Sequence, residues 1–192
     1  MKCILCNHLS FSTICSTCQT KYLSSNLTKR TLPNGLVVYS FYKYSDIKGF
    51  LKTKHTYLGY KIYTLLAKNS FRKFALEFVD DHDKKIYAFA IDDKLSPEYS
   101  HTAILTKALK SKYITPKYNK LRAKNTVSYS AKTLEYRLKN PRNFNYTFKQ
   151  DIYAILVDDI ITTGTTLSEA KALLEKNSVN VLFALTLADA RQ

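Results

Sequence analysis

Residues 158–166 hold a set of side chains suited to binding a phosphorylated ligand. Asp158 and Asp159 are adjacent, and two apolar residues separate them from Thr162, Thr163, Gly164, Thr165 and Thr166. Backbone N–H groups at a helix start point outward, and the helix dipole there favours an anion. The threonine hydroxyls add donors, while Gly164 allows the backbone to fold closely around a phosphate. The carboxylate pair suits ribose hydroxyls or a divalent cation.

A less specific interpretation of this segment is an ordinary strand, turn and helix whose threonines cap the helix. Capping needs one hydroxyl and no pair of aspartates, so the pattern favours a phosphate site. A nucleotide-binding loop of the Walker type is disfavoured, because no Gly-Lys-Ser/Thr follows the loop.

The four cysteines of the chain form two Cys-x-x-Cys pairs within the first 18 residues: Cys3, Cys6, Cys15 and Cys18. Two such pairs commonly present four thiolates around one zinc ion. The pattern predicts a structural zinc site, since four cysteines leave no coordination position open for water. His8 lies close by, and we expect it at the surface. The metal would supply folding free energy to a segment too short for its own core.

The elements that must position these residues follow from hydrophobic patterning. Strands are expected at 36–44, 84–91, 154–157 and 179–188, and helices from Asp46, at 57–68, at 101–110 and after residue 166. Strands alternating with helices predict an α/β fold with a mostly parallel sheet flanked by helices. We expect a zinc-finger segment at 1–30, with a linker or turn from Ser24 to Arg30, and a larger domain at 36–192.

The net charge is +15, and the basic residues lie in two blocks. Residues 1–70 contain 10 Lys or Arg and one acid, and residues 111–150 contain 10 and one. Both blocks are rich in tyrosine, and lysines interleaved with aromatic rings suit single-stranded nucleic acid. Two alternatives stay open: lysine enrichment from genome composition, and tyrosines that pack in the core.

The sequence has no apolar run long enough for a membrane span and no secretory segment at its start. We therefore expect a cytoplasmic protein, with peripheral attachment to the inner membrane through partners as a further option.

The order of these features resembles the ComF (ComFC) family of competence proteins. In that family a small cysteine cluster precedes a domain like the type I phosphoribosyltransferases. The similar segments are Tyr42-Lys43-Tyr44 with Ile47, Lys48, Leu51 and Lys52; 121–126 with Ser128, Leu134, Arg137, Asn140 and Phe144; Asp158 to Thr166; and 185–188.

The resemblance implies a site for 5-phosphoribosyl-1-pyrophosphate with Mg²⁺. Asp158 and Asp159 would contact the ribose hydroxyls, and residues 162–166 would wrap the 5′-phosphate. It also implies a role in natural transformation, in which the protein binds single-stranded DNA and works with other DNA-uptake proteins. Candidate DNA contacts in the basic blocks are Lys48, Lys52, Lys54, Arg122, Lys124 and Arg137. The last three could instead cover the pyrophosphate.

The chain departs from the family pattern at two places. Residues 98–102 read Glu-Tyr-Ser-His-Thr where the family usually has Arg-Gly-Phe-Asn-Gln, and the preceding turn contains Asp92 and Asp93 beside Lys94. Thr162 stands where enzymes that act on 6-oxopurines carry an aspartate base. Binding without catalysis and an active phosphoribosyltransferase of nucleotide salvage or synthesis therefore both remain open.

Overall fold

A computed structural model describes residues 1–54, 56–81, 85–91, 99–125 and 134–191. The helices are α1 (Ser16–Tyr22), α2 (Tyr44–Leu51), α3 (Tyr57–Asn69), α4 (Phe71–Glu77), α5 (His101–Ala108), α6 (Leu134–Lys139) and α7 (Thr165–Lys176). The strands are β1 (Thr28–Thr31), β2 (Val37–Lys43), β3 (Ile86–Ala90), β4 (Ile114–Lys117), β5 (Leu121–Ala123), β6 (Phe144–Tyr146), β7 (Ile152–Ile161) and β8 (Val179–Asp189).

A mostly parallel sheet organises the molecule. Its strand order is β1-β2-β8-β7-β3-β4, and β1 alone runs antiparallel to its neighbour. The central strands are apolar along their length, as expected for parallel strands covered on both faces. The predicted α/β fold with a mostly parallel sheet flanked by helices is confirmed.

Two hydrophobic clusters lie on opposite faces of this sheet. Side chains alternate along a strand, so Ile155 and Val157 of β7 enter one cluster while Ala154 and Leu156 enter the other. Helices α3 and α5 cover the first face, and α7 covers the second with Leu167, Ala170 and Leu174. The sheet is thereby buried on both sides, and β7 and α7 are fixed on either side of the loop between them.

A second, two-stranded antiparallel sheet pairs β5 with β6. It is attached to the main body through α7, since the carboxylate of Glu169 accepts the backbone N–H groups of Arg142 at 3.1 Å and Asn143 at 2.6 Å. The carbonyl oxygen of Arg142 in turn accepts the backbone N–H of Lys124 at 3.1 Å. The strands β5 and β6 are therefore attached to the helix that follows the polar loop.

The N-terminal segment packs against the main core. Ile14 and Leu23 are buried in the cluster on the α3 face. Asn69 at the end of α3 donates to Oε1 of Gln19 over 3.0 Å, and its carbonyl oxygen accepts Oγ of Ser25 at 3.0 Å. The zinc-finger segment of the predicted division is thus held to the domain by apolar and polar contacts.

Two sequence-based expectations need correction. The linker predicted from Ser24 to Arg30 ends in a strand, because Thr28 to Thr31 pair with β2 as β1. The strand predicted at 154–157 continues to Ile161, because Asp158, Ile160 and Ile161 pair with β8. The acidic pair therefore lies within a strand rather than after one. The strand expected at 36–44, both internal helices and the final strand are present with shifts of one to two residues at their ends.

Candidate functional site

The loop between β7 and α7 is a tight polar turn that opens the helix. Gly164 precedes the helix with φ of +85°, in the left-handed region that glycine adopts without strain. Oγ1 of Thr163 lies 2.9 Å from Oγ1 of Thr165, and Gly164 O accepts the first helical bond from Ser168 N at 2.9 Å. The concave surface here is lined by Asp158 and residues 160–167. Six of the seven residues predicted to hold the phosphoribosyl ligand line this surface, and Asp159 is the one that does not.

The two aspartates are joined through the backbone and are both partly exposed. The N–H of Asp159 donates to Oδ1 of Asp158 over 2.8 Å. Burial raises the pKa of Asp158 well above its ordinary value, and the neighbouring charge of Asp159 raises it further. Arg142 acts in the opposite direction. A pair of this kind gains from a cation or from hydroxyl donors, because either one stabilises the ionised form.

Cationic side chains from both basic blocks lie beside the acidic pair. Nζ of Lys54 is 3.6 Å from Oδ2 of Asp159. Arg142 is 9% exposed, and burial lowers the pKa of its guanidinium while the charges of Asp158, Glu169 and Asp159 oppose that shift. Lys54 therefore contacts the acidic pair, and Arg142 is close enough to act on it electrostatically. Arg142 and Glu169 carry no sequence motif, and only the fold brings them to the site.

An aromatic cluster borders the same carboxylates. Tyr63 is fully buried, and within the described part of the chain its hydroxyl has no hydrogen-bond partner. Burial raises its pKa first, and the charge of Asp159 raises it further. The ring centroid of His101 lies 5.2 Å from those of Tyr63 and Tyr99. Tyr63 therefore packs in the core, in line with the alternative that the tyrosines of the basic blocks are core residues. It is also close enough to Asp159 for that charge to affect its pKa.

The four N-terminal cysteines form one compact group. Their sulfur atoms all lie within 4.8 Å of one another, and Cys6 Sγ is 3.7 Å from Cys15 Sγ. The backbone N–H of Cys15 donates to Cys3 Sγ over 3.3 Å and, as the largest cause, lowers the pKa of that thiol to about 6. Burial, followed by the other thiols, raises the pKa of Cys18 to about 12. Four thiols this close fit a tetrahedral zinc ion, which would hold them as thiolates. His8 is exposed.

The candidate DNA contacts fall in different surroundings. Lys48 and Lys52 are exposed on and just after α2, Arg122 is in β5, and Lys124 is exposed after it. Lys54 lies instead against Asp159. Arg137 belongs to α6, and its side chain is outside the described residues, as is the turn with Asp92, Asp93 and Lys94. Their role as DNA contacts stays a prediction.

No helix in the described residues combines the length and the apolar character needed to cross a membrane.

Searches for related proteins give similarity in fold only. No protein-family model and no curated protein matches the sequence. Among solved structures, a hypoxanthine phosphoribosyltransferase from Staphylococcus aureus has 15% identity and a TM-score of 0.40, and covers 66% of this chain. The chain spans 62% of that structure's length.

Two further structures are covered more fully. Adenine phosphoribosyltransferase from Saccharomyces cerevisiae shows 18% identity and a TM-score of 0.43, covering 85% of this chain and 83% of its own. Orotate phosphoribosyltransferase from Aeropyrum pernix shows 16% identity and a TM-score of 0.38, covering 89% and 78%. At these low values the similarity carries no functional argument, so function must be inferred from the residues of the site.

Proposed function

We propose that this chain binds 5-phosphoribosyl-1-pyrophosphate with Mg²⁺ at residues 158–166 and single-stranded DNA through its basic blocks. The observation that carries the ligand assignment is the continuity of the site. A carboxylate pair in a central strand leads within two residues into a glycine-capped threonine loop at the start of α7.

The chain's own residues would divide the work between them. Asp158 and Asp159 would accept the ribose hydroxyls or hold Mg²⁺, and residues 162–166 would donate N–H and O–H groups to the phosphate. Lys54 and Arg142 would face the negative charge of the pyrophosphate once the aspartates are occupied. Mg²⁺, when bound, would screen the pyrophosphate from the carboxylates.

Calorimetric titration of the protein with phosphoribosyl pyrophosphate and Mg²⁺ tests the ligand assignment. Asp158→Ala/Asp159→Ala should abolish binding while the circular dichroism spectrum is unchanged. Asp46→Ala serves as a matched control, because Asp46 is an exposed aspartate on α2. Unchanged affinity in the double variant would refute the assignment.

Single-strand binding is supported by the convergence of the two basic blocks. Lys54 of the first block contacts Asp159, and Arg142 of the second block acts electrostatically on Asp158. Tyr57, Tyr60 and Tyr118 expose rings on these blocks, and exposed rings can stack on bases. We propose that this binding serves DNA uptake in natural transformation, in the cytoplasm and together with other uptake proteins.

Oligonucleotide titration across a salt series tests this part of the proposal. Affinity should fall steeply with salt, because each neutralised phosphate releases counterions. A flat response, or no binding, would exclude it. Repeating the titration with phosphoribosyl pyrophosphate present would reveal any coupling between the two ligands.

The second candidate function is an active phosphoribosyltransferase of nucleotide salvage or synthesis. Lys54 and the buried Arg142 favour it, since cations beside the ribose site can stabilise departing pyrophosphate. Release of pyrophosphate on incubation with a panel of nucleobases would support catalysis. Ligand binding without release of pyrophosphate with any base of the panel would support a binding function without catalysis.

A further inference from the structure

Arg30 of the edge strand β1 places its guanidinium against the polar loop. Nη1 donates to the carbonyl oxygen of Thr162 over 3.0 Å, and Nη2 donates to that of Thr163 over 3.4 Å. Nη1 also lies 3.1 Å from Oδ1 of Asp189. One guanidinium therefore joins two consecutive loop carbonyls to a carboxylate at the end of β8.

Asp189 is itself held firmly in place. It is 1% exposed, and its Oδ1 also accepts the backbone N–H of Arg191 at 2.9 Å. Asp189 pairs in register with Ile161, the last residue of β7, and Ala190 N donates to Ile161 O over 2.9 Å. The carboxylate that orients Arg30 is thus fixed to the strand from which the loop emerges.

The turn after β1 makes a second contact with the loop. Leu32 is buried, and a Cβ atom placed on Gly164 would lie 2.6 Å from its Cδ2. The backbone of Asn34 accepts Nζ of Lys171 on α7 at 3.3 Å. The β1–β2 hairpin therefore contacts three consecutive loop residues and the helix beyond them.

The direction of these hydrogen bonds determines which way the loop's donors point. In a planar trans peptide, the carbonyl oxygen and the following N–H point in opposite directions. Holding the carbonyls of Thr162 and Thr163 toward Arg30 turns the N–H groups of Thr163 and Gly164 away from it. Those two N–H groups are donors that an anion in the loop would need.

We infer that Arg30 is a positioning residue of the phosphate loop, which sets the backbone orientation that anion binding requires. The affinity part of this inference rests on the proposed ligand, whereas the effect on loop order does not. A lysine could keep the ion pair with Asp189, but a single ammonium lacks the planar fork that spans separate acceptors. The two hydrogen bonds to the loop carbonyls therefore require an arginine at position 30, whereas the ion pair with Asp189 requires only a positive charge.

The test compares Arg30→Lys with the double variant Arg30→Met/Asp189→Asn. The double variant should still fold, because it also removes the buried carboxylate charge of Asp189, which Arg30→Met alone would leave unpaired. Arg72→Lys is the matched control, since Nη1 of Arg72 donates to a backbone carbonyl, that of Lys110, away from the loop. Ile47→Val, at a buried position on α2, is a control for general loss of stability.

Two readouts are measured on the full chain: amide hydrogen exchange of residues 162–166, and the Kd for phosphoribosyl pyrophosphate with Mg²⁺. In both Arg30 variants, amide exchange in the loop should be about tenfold faster and the Kd for the ligand about tenfold higher than in wild type. Arg72→Lys and Ile47→Val should leave both within about twofold of wild type.

Each outcome bears on the inference. Unchanged loop exchange in both Arg30 variants would overturn it, whatever the ligand does. Accelerated exchange in a protein whose wild type fails to bind the ligand would support the role of Arg30 and reject the proposed function. If Ile47→Val has the same melting temperature as the Arg30 variants and weakens binding as much, the loss reflects general stability. Arg30 would then have no specific role in positioning the loop, and the inference would be overturned.

Discussion

A carboxylate beside another carboxylate is costly to ionise when burial reduces its contact with water. Asp158 carries this cost, because burial and the charge of Asp159 raise its pKa. Perturbed pKa values of this kind cluster at functional sites, where a ligand or cation can stabilise the ionised form. At the residue scale, the site is therefore a place where stability and binding compete.

Asp158→Asn should stabilise the ligand-free protein near pH 7. A raised pKa in the folded state means that the group's favourable contribution is complete below its unfolded pKa of about 4 and is lost as pH rises through the folded value. The asparagine avoids that loss and keeps the Oδ1 acceptor for Asp159 N. We expect a melting temperature about 2–4 °C higher at pH 7, and a difference that shrinks toward pH 4.

Thermal unfolding between pH 4 and pH 8 measures this effect. Asp46→Asn, at an exposed aspartate on α2, is the control for replacing a carboxylate by an amide away from the site. A gain for Asp158→Asn that grows as the pH falls would contradict the sign of the pKa shift.

Gly164→Ala should destabilise the protein more than Gly35→Ala does. Both glycines have positive φ, at +85° and +79°, so both variants incur backbone strain of about 1 kcal/mol. Only at Gly164 would the new Cβ meet the side chain of Leu32, whereas nothing lies within 4 Å at Gly35. We expect an additional cost of about 1–3 kcal/mol, measured by urea denaturation. Equal losses would show that Leu32 moves aside freely.

At the scale of elements, the sequence was most informative where one pattern dominated. The apolar run at 179–188 and the alternation of strands with helices predicted the sheet, and the loop chemistry predicted where α7 begins. The end of β7 was misjudged because carboxylates are rare inside strands, yet β8 supplies hydrogen bonds through Ile161. Arg30 and Arg142 could not be recognised, because their acceptors lie far away in sequence and only the tertiary structure joins them.

Cys15→Ser should release zinc and destabilise the N-terminal segment. A serine hydroxyl is a poor substitute for a thiolate, and Ile14 beside it is fully buried in the main core. We expect a loss on the order of 4 kcal/mol, with zinc content measured by mass spectrometry and unfolding by calorimetry. Ser16→Ala, at the neighbouring exposed position, should retain the metal. Full metal content in Cys15→Ser would contradict a four-cysteine site.

At the scale of the whole molecule, charge is distributed unevenly along the chain. The fold brings Lys54 of one basic block and Arg142 of the other to the same acidic pair. The blocks at 1–70 and 111–150 each carry an excess of nine positive charges, residues 71–110 are balanced, and residues 151–192 are acidic. Lys48 and Lys52 are exposed and four residues apart around α2, so they share one face. Positive surface of this kind governs how a polyanion approaches.

Lys48→Ala/Lys52→Ala should lower the salt dependence of oligonucleotide binding. Removing two phosphate contacts from a single strand reduces the slope of log affinity against log salt by about 1.4. Lys107→Ala/Lys110→Ala, from the charge-balanced region, is the control with the same change in net charge. Identical slopes for the two double variants would show that only net charge matters, and would remove Lys48 and Lys52 from the DNA surface.

The strand order has a consequence for how the protein is made. β8 is the last strand of the described chain, yet it lies between β2 and β7 in the middle of the sheet. During synthesis, β2 and β7 can be joined through β8 only after residue 189 has left the ribosome, so β1-β2 and β7-β3-β4 stay apart as two separate parts of the sheet until then. We expect nascent chains stalled before residue 179 to be cut readily by protease, and chains released beyond residue 189 to resist it. The edges of β2 and β7 that later pair with β8 therefore stay uncovered, and prone to aggregation, until β8 emerges.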